Sequence, residues 1–199
     1  MTAATITVRP APEAAPRHPV GWWGMVGLIA TEAVVFAALL AAYFFLRAGS
    51  KTWPQGGIEA PELKKIGILT VVLLSSSIPL FIAEPAARAG NIFRVRSMLF
   101  LTFVMGAGFA THQVFEYRAL TFGIRDNAYA SLFYGITGLH GLHVLVGLLI
   151  NLVVQAKAWT GRITAEHHLT LTLYSYYWHF VDVVWIFVFS SLYLSAHVH

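Results

Sequence analysis

Five long apolar runs, at 21–46, 66–83, 97–115, 129–156 and 169–196, divide the chain, and the breaks between them hold most of its charges. Each is near or above the roughly 20 residues that cross a bilayer as a helix, and all exceed the 9 to 11 or so of a barrel strand. Hydrocarbon offers no partner for loose backbone groups, so such runs close their hydrogen bonds within the segment. The pattern therefore predicts an all-α polytopic membrane protein, a bundle of five transmembrane helices with the second shortest. Ahead of it, residues 1–20 contain Pro10, Pro12, Pro16 and Pro19 among Ala and Thr. That composition buries little apolar area and predicts a disordered N-terminal arm before a membrane domain over 21–199. The first run is too long for the hydrophobic region of a signal peptide and reads as a retained span.

Local signals refine this picture. Pro79 follows Ser75-Ser76-Ser77 inside the second run; its missing N–H frees the Ser75 carbonyl and predicts a kink. Gly135, Gly138, Gly141 and Gly147 recur at near-helical spacing on the fourth run and predict a seam where another helix packs closely. Trp22, Trp23, Trp53, Trp159, Tyr174 and Tyr176 stand at or near span ends, as interfacial anchors do.

With 57% of 199 residues hydrophobic and 11% charged, the chain exceeds what one soluble core of this length could hide. Its net charge of +4 is spread thinly, without the basic clusters of a nucleic-acid face. The absence of cysteine excludes disulfides, thiolate-held iron-sulfur clusters, a cysteine-ligated copper and covalent haem attachment, leaving His and carboxylates as the only strong metal ligands. Seven Lys and Arg fall on the N-terminal side of the bilayer and six on the other. That near-even split decides little under the positive-inside rule; the expectation leans to a cytoplasmic N-terminus and a C-terminus on the periplasmic or extracellular side.

Against this apolar background the informative residues are the ionisable ones. Glu32, His140, His143, His179 and Asp182 each fall about 10 to 14 residues into their runs, roughly mid-bilayer at about 1.5 Å per residue. A charge there costs roughly 2.5 to 3.5 kcal/mol on insertion scales, so each group is expected to face protein or water. The arithmetic predicts a shared polar core. His112, Gln113 and Glu116 lie near the far end of the third run and predict a separate outer cluster, with His112 and Glu116 paired locally. Three roles are open to the mid-membrane groups: bridging helices by hydrogen bonds, carrying protons, or ligating a metal pair or haem. The di-iron pattern requires Glu-x-x-His pairs, and none occurs. Arg47, Arg88, Arg94 and Arg96 at span ends are placed to contact lipid phosphates.

Two segments carry a family resemblance. Tyr177-Trp178-His179-Phe180-Val181-Asp182-Val183-Val184-Trp185 resembles the last-helix signature of subunit III of the haem-copper terminal oxidases, cytochrome c oxidase above all. Thr137-Gly138-Leu139-His140-Gly141-Leu142-His143-Val144 resembles the signature of the helix before it. Collinear matches at Glu32, Trp53-Pro54, Gln113 with Glu116-Tyr117, and Glu166-His167-His168 extend the likeness over about residues 20–197. The chain lacks the two additional N-terminal helices of the long form and looks like the five-helix bacterial form. His112 departs from the family pattern and inherits no role from it.

The resemblance implies an accessory subunit, without catalytic residues, redox centre or metal of its own, in a complex that couples cytochrome c oxidation to oxygen reduction and proton pumping in a bacterial plasma membrane. It implies haems and copper in subunits I and II. Subunit I is the implied main contact, with subunit II and small extra subunits as further partners, no nucleic acid, and phospholipid held between helices. A quinol oxidase subunit or a homologue accompanying nitric oxide reductase shares the same features. A self-contained metal or haem enzyme is the reading from a different class.

Overall fold

The computed structural model describes residues 18–58 and 63–197, so residues 1–17 of the expected N-terminal arm lie outside the described residues. Among the described residues five helices are long and apolar enough to cross a membrane, as the pattern predicts. They are α1 (Val20–Ala48), a span built from α2 (Leu63–Ser75) and α3 (Ser77–Arg88), α4 (Ile92–Ala119), α5 (Ala128–Trp159) and α6 (Leu169–Val188). The second span is the shortest, at 26 residues.

The helices run beyond the apolar runs because polar caps set their ends. Asn91 accepts a hydrogen bond from the Arg94 amide at 3.1 Å and starts α4 ahead of Arg94 and Arg96. Asn127 accepts from the Ala130 amide at 2.8 Å and starts α5. Each satisfies one of the four amide groups that a helix start leaves without partners.

The second span breaks at Ser76, one turn before Pro79, where the expected kink lies. The Ser76 amide donates to both the Val72 and Leu73 carbonyls, at 3.1 and 2.9 Å, and α3 restarts at Ser77. The fifth span is not one uniform helix. Beyond Val188 it widens into a π-helix over Phe189–Leu194 and closes as a 3₁₀ turn over Ser195–His197. Arg47 pins that end by donating to the Ser195 hydroxyl at 2.5 Å and carbonyl at 2.8 Å. Carbonyls at a helix C-terminus lack intrahelical donors, so the guanidinium supplies them.

Neighbours in sequence pack as neighbours in space: α3 against α4, α4 against α5 and α5 against α6, with α1 resting on α5 and α6. The centre is Trp178. Its indole N–H donates to the Ser76 hydroxyl at 2.8 Å, inside the break of the second span. A Cβ at Gly106 of α4 or at Gly147 of α5 would stand 2.7 Å from the same ring. One indole thus joins four helices, and two glycines make room for it.

This corrects the expected glycine seam. Gly147 admits the indole, whereas Gly135 and Gly141 meet nothing within 4 Å, and Gly138 meets only the Tyr117 hydroxyl at 3.6 Å. Aromatic placement is corrected at Tyr174, which is buried and whose hydroxyl accepts from Asn151 at 2.8 Å. A buried phenol needs a partner, and this one finds it in the interior. Trp53, half-buried in the loop after α1, donates to the Tyr43 hydroxyl at 2.9 Å.

α1 is the exception to this packing. Of its 29 residues only Phe36 and Tyr43 are buried, while Trp23, Val34, Val35, Phe44 and Phe45 stand exposed.

Candidate functional site: polar clusters inside the membrane

The mid-membrane polar residues separate into two hydrogen-bonded clusters on different helix pairs. Between α1 and α5, Glu32 Oε2 lies 3.2 Å from His143 Nε2. The other ring nitrogen, Nδ1, lies 2.8 Å from the Leu139 carbonyl, which only accepts, so Nδ1 carries a hydrogen. Nε2 then has two options. In a neutral ring it accepts from a protonated Glu32, and in a charged ring it donates to the carboxylate. The first arrangement leaves two neutral groups and the second an ion pair, and both spare the low-dielectric setting a lone charge. The pair lines a groove of about 310 Å³ with Leu28, Leu139, Leu142, Val146 and Tyr177. The Tyr177 hydroxyl donates to the His143 carbonyl at 3.2 Å and the Phe36 ring meets the imidazole edge at 5.2 Å, so the groove wall is held on both sides.

Between α3 and α6 the second cluster centres on Ser77. Its hydroxyl donates to Asp182 Oδ2 at 2.5 Å and lies 2.8 Å from His179 Nδ1. A hydroxyl has one hydrogen, so with that hydrogen on Asp182 the serine accepts from Nδ1–H. Nε2 is left to accept from the Ser175 hydroxyl at 3.1 Å. Phe81 stacks on the imidazole at 4.4 Å. The order of the three differs from a catalytic triad, in which the imidazole stands between serine and carboxylate; here the Ser77 hydroxyl stands between the imidazole and Asp182.

Two expectations are thereby corrected. His179 and Asp182 do not act as a direct pair; Ser77 from another span joins them. Nor do the five groups form one connected cluster. His140 is 1% exposed, and neither of its ring nitrogens has a hydrogen-bond partner. It packs against Trp185 at 4.7 Å and Phe109 at 6.1 Å instead. Helix rotation sends these groups to different neighbours. Ser77 was the missed residue; its only signal was the serine run before Pro79.

In the outer cluster, His112 Nδ1 and Glu116 Oε2 are buried and unpartnered, so the expected pairing does not form. A four-residue spacing brings the Cβ atoms within about 5–6 Å, which does not by itself bring the ends of the side chains together. Gln113 is buried with both amide atoms unpartnered.

The span-end arginines differ in their engagement. Arg47 caps the last span as described. Arg96 donates to the Ala158 carbonyl at 3.0 Å, lies 4.5 Å over the Trp159 ring and borders a groove of about 440 Å³. Arg94 borders a groove of about 390 Å³ lined by Phe81, Ile82 and Pro85. Arg88 approaches Glu84 at 3.8 Å. Among the described residues no group of three or more His, Asp or Glu side chains is placed to hold a metal ion.

Comparison with known proteins carries the geometry to a family. The family model of cytochrome c oxidase subunit III matches residues 19–197. Cytochrome c oxidase subunit 3 of Thermostichus vulcanus is 38% identical over 172 residues, covering 86% of this chain and 85% of the relative. A probable cytochrome c oxidase subunit 3 of Nocardia farcinica is 37% identical over 174 residues, 85% of each chain. Cytochrome c oxidase subunit 3 of the mosquito Anopheles gambiae is 36% identical over 177 residues, 86% of this chain and 68% of its own. With five apolar helices in the same frame, the chain is a multi-pass membrane protein that belongs to the cytochrome c oxidase subunit III family, a subunit of the haem-copper terminal oxidases.

Proposed function

We propose that this chain is the non-redox, accessory subunit of its oxidase, with no active site of its own, packed beside subunit I in a bacterial inner membrane. Subunit II and small extra subunits complete the complex, haems and copper reside in subunits I and II, and the N-terminus faces the cytoplasm. The observation that carries this reading is α1. A helix with two buried residues in 29 presents most of its surface to something outside the chain, while its single carboxylate turns to His143. The mid-membrane groups then serve to bridge helices and fix their rotation. Arg94 and Arg96, each above an apolar groove, are suited to lipid phosphates.

Removing the chain from a purified complex tests this reading. Subunits I and II alone are expected to keep their optical spectrum and initial oxygen reduction and to lose activity faster during sustained turnover. Immediate loss of all oxygen reduction with an intact spectrum would refute an accessory role.

The Glu32–His143 contact gives a sharper expectation. Glu32→Gln supplies an amide N–H that donates to His143 Nε2 as a protonated Glu32 would, and an amide oxygen that accepts from Nε2–H in place of the carboxylate. Initial oxygen consumption of the assembled variant should stay within about twofold of the parent, a difference of under about 0.5 kcal/mol in barrier. Complete loss in an assembled complex would show Glu32 to be an obligatory proton carrier.

A further inference from the structure

Of the nine buried side-chain atoms without a hydrogen-bond partner among the described residues, eight belong to one region of the bundle, its half distant from the N-terminal side. They include both ring nitrogens of His140, both amide atoms of Gln113, Glu116 Oε2 and the Tyr193 hydroxyl. Counted from the N-terminal-side ends of α4, α5 and α6 at about 1.5 Å per residue, these groups stand roughly 28 to 36 Å along their helices. Tyr193 stands within electrostatic reach of Glu116 and Tyr117, and its hydroxyl approaches the Gln113 amide without closing a hydrogen bond in distance and angle. Trp185 links the two ends of the region, 4.7 Å from His140 and 6.1 Å from Tyr193.

An unpaired polar atom out of water forfeits its solvation with nothing in return, and a marginally stable fold does not carry that loss many times over in one place. In native interiors such groups are met by ordered water or an ion. The chemistry here selects water. An amide, a phenol, imidazoles and one carboxyl offer donors and acceptors in mixture, which suits a molecule that both donates and accepts. A cation needs converging anionic or lone-pair ligands, and among the described residues no such group of three occurs. Two local features favour room for it. With glycine at 138, only the Tyr117 hydroxyl comes within 4 Å of where a Cβ would stand. The wall that carries Tyr193 is the π-helical Phe189–Leu194, the irregular stretch of α6's span.

We propose that ordered water molecules occupy the region between α4, α5 and the π-helical end of the last span, bridging Gln113, Glu116, His140 and Tyr193. This is a binding site for water inside the subunit, separate from the Glu32–His143 and Ser77–His179–Asp182 clusters.

A map of the intact oxidase, recorded at a resolution that shows waters elsewhere in its membrane domain, tests the proposal. The expected result is density within about 2.7–3.2 Å of at least two of the Gln113 amide, the Tyr193 hydroxyl and the His140 ring. Side chains bonded directly to one another with no density between them would overturn it. So would a peak with ligands at about 2.0–2.5 Å, which would mark a cation. In the same complex carrying Gln113→Leu or, independently, Tyr193→Phe, the density nearest the altered group should vanish. Its persistence in both variants would show that these residues do not hold it.

Discussion

Trp178→Ala is expected to destabilise the bundle by about 3–5 kcal/mol, the range for deleting a large buried aromatic side chain. The indole is completely buried, holds Ser76 through its N–H and fills the space that Gly106 and Gly147 leave open. Its removal opens a cavity against three other spans at once and strips the serine at the helix break of its partner. The measurement is the thermal midpoint of the chain's dissociation from the detergent-purified complex, with the amount of chain retained. A markedly lower midpoint and reduced retention are expected. An unchanged midpoint would show that the four-helix junction does not depend on this ring.

Gly147→Leu attacks the same junction from the opposite side. The Cβ alone would stand 2.7 Å from two carbons of the indole ring and 3.4 Å from Tyr177. An indole boxed in by α4 and Ser76 has no free direction in which to yield, so overpacking should cost about 1–3 kcal/mol or more. Combining Gly147→Leu with Trp178→Leu supplies the specific check. Because the two side chains contest one space, the double variant should assemble better than the sum of the single effects allows. Strict additivity would mean that the two substitutions act at unrelated places.

The same junction shows what was legible in the sequence. Span number, order and approximate ends followed from the apolar runs, because a bilayer imposes a length and a closed backbone. The break near Pro79 was legible because proline removes a donor wherever it stands. Helix rotation was not. A membrane span is apolar all round, so no amphipathic face announces which way Gly147, His140 or Ser77 points. Gly147 therefore read like Gly135 and Gly141 although it alone of the three receives an aromatic ring. Ser77 read as a companion of the kink although its hydroxyl joins His179 to Asp182. The Glu32–His143 contact was legible only as shared depth, since nothing local connects residues 111 positions apart. The family motifs marked His179 and Asp182 as important without showing that a serine from another span stands between them.

The functional reading has the same shape. Ionisable groups in hydrocarbon first suggest an active site. The geometry pairs Glu32 with His143 across α1 and α5 and joins His179 to Asp182 through Ser77 across α3 and α6, arrangements that hold helices together. The family supplies the complex in which such a bundle works.

The proposed role is that of a non-redox subunit beside an oxygen-reducing partner. Its most direct test is to purify the native complex through a tag on this chain, then separate the chain and measure haem and metal on each fraction. An oxygen-reducing haem-copper subunit is expected to co-purify, with all haem and copper remaining on the other subunits after separation. A chain that purifies without such a partner, or that retains stoichiometric haem or metal by itself, would contradict it.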